Sequence, residues 1–110
     1  MNYNVVVTDN FKKEVKRLQK KHPSIKSDVK HLIDILEKKP LSGTPLGKNC
    51  YKIRFTITSK GRGKRSGGRV ITYVKYVVTT IFLISIYDKA EKETISEARM
   101  NQLIKEIIPK

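Results

Sequence analysis

Residues 50–57 read Cys-Tyr-Lys-Ile-Arg-Phe-Thr-Ile, and their alternation decides the fold. Side chains on a β-strand repeat every two residues, so Tyr51, Ile53, Phe55 and Ile57 share an apolar face while Lys52 and Arg54 stand together on the opposite one. Such a strand, expected over Cys50–Thr58, needs partners, and the sequence around it supplies them. Arg69–Val78 and Thr79–Tyr87 are two more runs rich in β-branched and aromatic residues. Within the second, Phe82-Leu83-Ile84-Ser85-Ile86 is continuous enough in apolar character for a central strand covered on both faces. Tyr3–Thr8 gives one further short strand.

Between the first strand and Cys50 the period changes from two to 3.6. Thr8, Asp9 and Asn10 offer N-cap oxygens, and Phe11, Val15 and Leu18 then recur at helical spacing, predicting a helix from about residue 10 to 22. Pro23 and Ser24 interrupt; Ile25, Val29, Leu32, Ile33 and Leu36 form a second stripe that Pro40 closes. Leu41–Asn49 reads as a turn-rich link. At the other end, Thr94, Ser96 and Glu97 mark the start of a helix that carries Ile95, Leu103, Ile104 and Ile107 and ends at Pro109. The expected order is βααβββα: one α+β domain over residues 1–110, with a twisted, mainly antiparallel four-stranded sheet packed by an N-terminal helical hairpin and a C-terminal helix. The sheet is expected to be strongly twisted and half covered.

Charge narrows the function. The 110 residues carry 24 Lys and Arg against 10 Asp and Glu, a formal net charge of +14, which implies a polyanionic partner, nucleic acid first. The charge is also segregated. Between Glu37 and Asp88 there is no acidic residue at all, yet eleven lysines and arginines. A solvated surface normally interleaves both signs, so this points to an anion-binding face. The single cysteine, Cys50, has no disulfide partner within the chain and reads as a small buried hydrophobe; a reducing, cytoplasmic compartment is expected. No apolar run reaches the length of a membrane span.

Several catalytic signatures are absent, including the zinc-protease, P-loop and nucleophile-elbow motifs, and nothing forms a metal-ligand set. His22 and His31 both read as structural. What remains is a basic sheet face and the stretch Ser59–Gly68, where glycines alternate with Lys60, Arg62, Lys64 and Arg65. That stretch is either a phosphate cradle or a mobile basic loop. Arg69 differs, because it opens a strand and is aimed from the sheet, and its planar fork suits phosphate oxygens.

Three segments taken together carry a family resemblance: Cys50-Tyr51-Lys52-Ile53-Arg54, then Gly67-Gly68-Arg69-Val70-Ile71-Thr72-Tyr73-Val74, then Ile81–Lys89 followed by a charged turn and a helix. In this order, over nearly the whole chain, they resemble the RelE/ParE superfamily of bacterial toxins, most of all its RelE and HigB-like branches. The resemblance implies a type II toxin: a ribosome-dependent mRNA endoribonuclease that needs no metal or other cofactor, encoded beside a cognate antitoxin that neutralises it. In that pattern the RNA's own 2′-hydroxyl attacks the neighbouring phosphate. Lys52, Arg54 and Arg69 match the basic residues around the scissile phosphate, and Lys89 matches the proposed acid for the leaving group. The position of the family's proposed general-base tyrosine holds Ile95. Tyr87 either supplies a phenol or stacking ring or caps the core with its hydroxyl in water. Lys60, Arg62, Lys64 and Arg65 are expected to dock on ribosomal or messenger RNA. Two other readings fit the same charge pattern, a ParE-like inhibitor of gyrase and a non-catalytic RNA-binding domain.

Overall fold

Residues 3–60, 67–75, 80–92 and 94–107 are described by a computed structural model. Their elements follow one another as β1 (Asn4–Val7), α1 (Asp9–Gln19), α2 (Ile25–Lys38), β2 (Thr44–Gly47), β3 (Cys50–Phe55), β4 (Gly68–Lys75), β5 (Thr80–Asp88) and α3 (Glu97–Ile107). A single 3-10 turn, Thr58–Lys60, follows β3. The five strands lie side by side in the order β1-β5-β4-β3-β2; β1 runs parallel to β5, and every other pairing is antiparallel.

The sheet has one strand more than the sequence predicts. The extra strand, β2, lies in the segment read as a link, where Thr44-Pro45-Leu46-Gly47 has poor strand propensity. Its position accounts for its composition, since an edge strand tolerates proline. Lys48 and Asn49, both at positive φ (54° and 64°), form the two-residue turn that pairs Gly47 with Cys50. Two central residues at positive φ are the geometry that matches strand twist in a tight hairpin.

Both faces of the sheet carry helices. On one, Phe11 and Leu18 of α1 and Val29, Leu32 and Leu36 of α2 pack on Ile53, Phe55, Val70, Leu83 and Ile86. On the other, Met100 and Leu103 of α3, with Ile95 just before it, pack on Cys50, Ile71, Ile84 and Tyr87. Each fully buried Leu, Ile or Phe contributes about 1.5–3 kcal/mol. Helices on both faces replace the half-covered sheet expected from the sequence. Helix α1 starts as predicted: Thr8 Oγ1 accepts from the Phe11 N–H at 3.3 Å and donates to the Leu83 carbonyl at 2.8 Å. It ends at Gln19, three residues early, because Pro23 disfavours helical geometry at His22.

Candidate functional site

The register of the sheet assembles a basic row. Arg54 of β3 lies opposite Arg69 of β4, and Arg69 lies opposite Tyr87 of β5. Residues directly opposed on antiparallel strands share a face with Cβ atoms about 4.5–5.5 Å apart. Lys52, two residues before Arg54, joins them on that face, with Thr44 of β2 opposite it on the other side. Thr44, Lys52, Arg54, Arg69, Lys89 and Thr94 together line an open depression of about 450 Å³. Among the described residues no carboxylate lines it.

Tyr87 reaches this face through an irregularity in β5. Ile71 pairs with Ser85 but Thr72 pairs with Leu83, so β5 carries one extra residue there, a β-bulge. The bulge reverses the alternation: Leu83 and Ile86 face the helical hairpin, while Ile84 and Tyr87 face α3. Strict alternation would have put Tyr87 on the same side as Leu83. The carboxylate of Glu14 on α1 holds the bulge, its Oε1 accepting from Ser85 Oγ at 3.0 Å, the Ile86 N–H at 3.1 Å and Asn10 Nδ2 at 3.0 Å.

Gly67 and Gly68 are required by space. A Cβ on Gly68 would fall 2.3 Å from the Phe55 ring, and one on Gly67 would fall 2.4 Å from the Phe55 carbonyl oxygen. The start of β4 therefore presses directly onto β3, fixing where Arg69 emerges. Arg69 is only 3% exposed, and its Nη1 donates to the Gly68 carbonyl at 2.9 Å. Burial, and next the neighbouring Arg54 charge, lower the Arg69 pKa from its ordinary value. Tyr87 is 2% exposed, with its hydroxyl buried and no hydrogen-bond partner in good geometry among the described residues. Burial raises its pKa, against a weaker opposite pull from Thr94, Arg69 and the Ile95 backbone. A core-capping tyrosine with its hydroxyl in water does not describe it. Lys92 Nζ stands 5.1 Å from the centre of its ring.

The described acidic groups near the end of β5, Asp88 and Glu91, are occupied elsewhere. Asp88, on the hairpin side, accepts from Lys60 Nζ and the Ala90 N–H and pairs with His22 Nε2, each at 3.0 Å. Burial raises its pKa, but the hydrogen bonds from Ala90, Lys60 and His22 outweigh that and hold it below the ordinary carboxylate range. Glu91 pairs with Lys21 and Arg17. Lys52, Arg54 and Lys89 form no ion pair with a described acidic residue.

The structure thus brings Lys52, Arg54, Arg69, Tyr87 and Lys89 to one face. Lys60 is set apart, its ammonium on Asp88, and Arg62, Lys64 and Arg65 lie outside the described residues. Ile95 is buried against α3's side of the sheet and offers no proton acceptor. Thr44, Thr94, Lys92 and Glu14 escaped the sequence reading. Thr94 carried a signal there, but as a helix-start residue. Among the described residues no three His, Cys, Asp or Glu side chains cluster closely enough to hold a metal ion, and no helix is long and apolar enough to cross a membrane.

No protein-family profile and no curated protein matches the sequence. Solved structures do match. A mutant of E. coli RelE in the free state superposes with a TM-score of 0.65 over 98% of this chain and 100% of its own, at 20% identity. The chain has the RelE fold. A chain of the Mycobacterium tuberculosis RelBE2 toxin–antitoxin complex matches with a TM-score of 0.60 and 18% identity, covering 80% of this chain and 99% of that one. One from the intact E. coli RelBE toxin–antitoxin complex gives 0.53 and 21%, covering 78% and 95%. This RelE fold is five-stranded, and the basic row lies on the face that α3 covers only in part.

Proposed function

We propose that this chain is the toxin of a type II toxin–antitoxin pair and cleaves mRNA on the ribosome, with the basic row as its active site. The observation that carries the reading is the cross-strand alignment Arg54–Arg69–Tyr87, with Arg54 and Arg69 lining one depression together with Lys52 and Lys89. The likeness to RelE, and to chains of two RelBE complexes, supports both the activity and an antitoxin partner.

In this reading Arg69 and Arg54 hold the phosphate. The ribose 2′-oxygen attacks phosphorus, the P–O5′ bond breaks, and a 2′,3′-cyclic phosphate and a free 5′-hydroxyl result. One proton must leave the 2′-oxygen and one must reach O5′. Lys52 on β3 and Lys89 after β5 flank Arg69 from opposite sides; Lys52 as the neutral amine takes the first proton, and Lys89 as the ammonium gives the second. Strands are spaced about 4.8 Å apart, which puts two lysines from outer strands astride a phosphate seated on the middle one. The arginines meet charge that grows in the transition state, the largest rate contribution available here. Tyr87, with its hydroxyl buried, is a positioning residue that packs beside Arg69. Ribosomal RNA supplies the reactive alignment of the message, and Arg62, Lys64 and Arg65 dock on its backbone.

Induction of wild type and Arg69→Ala in a bacterial host, with mapping of mRNA 5′ ends, tests this. Wild type should arrest growth and create cuts within translated messages, and Arg69→Ala should do neither. Undiminished toxicity of the variant, or arrest with intact mRNA and inhibited gyrase supercoiling, would overturn it.

A further inference from the structure

A second depression, of about 550 Å³, lies between α2 and the end of β3. Arg54 lines both it and the basic depression. Strand β2 pairs with β3 only as far as Lys52, which leaves this end of β3 open at the sheet edge. On α2, His31 and Ile35 are four residues apart and so adjacent on one helix face. Ile35 falls outside the apolar stripe that packs on the sheet and is 40% exposed, one of two large hydrophobic residues left so among the described residues. His31 is exposed and has no hydrogen-bond partner among the described residues. Leu32 and Phe55 add apolar surface between them, and Asp28, which also lines the depression, already accepts from Ser24 Oγ and from the N–H and hydroxyl of Thr58.

We propose that this depression is a nucleobase subsite, receiving the base of a nucleotide next to the phosphate held by Arg54 and Arg69. The inference rests on the nuclease reading and extends it to substrate selection. Unpaired RNA bases are recognised by stacking on flat side chains such as histidine or on guanidinium planes, with hydrogen bonds to their edges. His31 provides the flat group, Ile35 and Leu32 an apolar wall, and Thr56 and Ser27 edge partners, with Arg54 at the border toward the phosphate. A base hangs from the sugar beside its phosphate, so its subsite must adjoin the phosphate site. Arg54 is the shared wall that makes these two adjoin.

Nuclear magnetic resonance of the whole chain can separate this inference from the reading beneath it. The probes are inorganic phosphate and all-deoxy trinucleotides, which lack the attacking 2′-hydroxyl and stay intact. Phosphate should move the side-chain signals of Arg54 and Arg69 alone, whereas a trinucleotide should also move the Ile35 methyl and His31 ring signals. His31→Ala and Ile35→Ala, both at exposed positions, should each weaken trinucleotide binding about fivefold and leave phosphate binding as in wild type. In cells, the same variants should change which bases flank the mapped mRNA cuts. Trinucleotide shifts confined to the two arginines would overturn the subsite and leave the phosphate site standing. Shifts at neither place would overturn both.

Discussion

Arg69 is a costly residue to keep. A nearly buried guanidinium directly opposite a second arginine is disfavoured by desolvation and by like-charge repulsion across the ladder. Arg54, which has no ion pair among the described residues, isolates the repulsive part. Arg54→Gln should therefore raise stability slightly, by about 0.2–1 kcal/mol in urea unfolding, while mRNA cleavage falls. For Arg69 the fork matters as well as the charge. Arg69→Lys should lose about 100-fold in single-turnover cleavage of ribosome-bound message, with its unfolding transition retained. Asp88 presents the opposite case, a buried carboxylate whose partners stabilise its charge. Because its pKa is lower in the native state than in the unfolded chain, acidification protonates the unfolded state first. Its contribution is complete above about pH 4 and declines as pH falls further. Asp88→Asn should lower stability at neutral pH, by removing the charge that Lys60 and His22 meet, and should flatten the fall of Tm below about pH 4.

At the level of elements, the site depends on a bulge that no periodicity displays. Lys52 and Arg54 were legible because β3 alternates strictly, and Arg69 because a basic residue after two glycines opens a strand. Tyr87 was not placeable in this way. Counting by twos from Leu83 gives it the wrong face, and only pairing with β4 shows the extra residue. Thr44 was missed for a related reason, since β2 takes its conformation from its neighbour and its turn and not from its own propensity. Glu14 illustrates action at a distance in sequence: a helix carboxylate 71 positions before Ser85 holds the bulge. Glu14→Ala should leave the Ile86 N–H without its acceptor, cost about 1–3 kcal/mol, and alter the near-ultraviolet circular dichroism of Tyr87. Glu14→Gln keeps an acceptor oxygen and should restore most of both. Gly68→Ala should fail in a different manner, forcing β4 away from the Phe55 ring and lowering cleavage together with stability.

Across the whole molecule, charge is sorted by the sheet. Near the end of β5 the acids are drawn to the hairpin side, where Asp88 meets His22 and Lys60, and Glu91 meets Arg17 and Lys21. Lys52, Arg54, Arg69 and Lys89 gather on the opposite face. Affinity for ribosomes should thus fall steeply with salt, and each neutral substitution among Arg62, Lys64 and Arg65 should reduce the logarithmic salt slope by about one without altering where the message is cut. The total charge and its segregation were readable from composition, but their assignment to faces required the register. The same sandwich has one more consequence, and it concerns the lone thiol. Cys50 is 1% exposed beneath the α3 side of the sheet, and burial pushes its pKa up to about 11 against a smaller pull from Lys48. Met100 and Leu103 of α3 lie in the same cluster, so a disulfide reagent should reach it faster when α3 lifts. The native chain therefore carries its own clock for that motion: the rate of thiol labelling counts openings of the C-terminal helix, and any partner that pries the helix away will quicken it, while one that clamps the helix down will slow it.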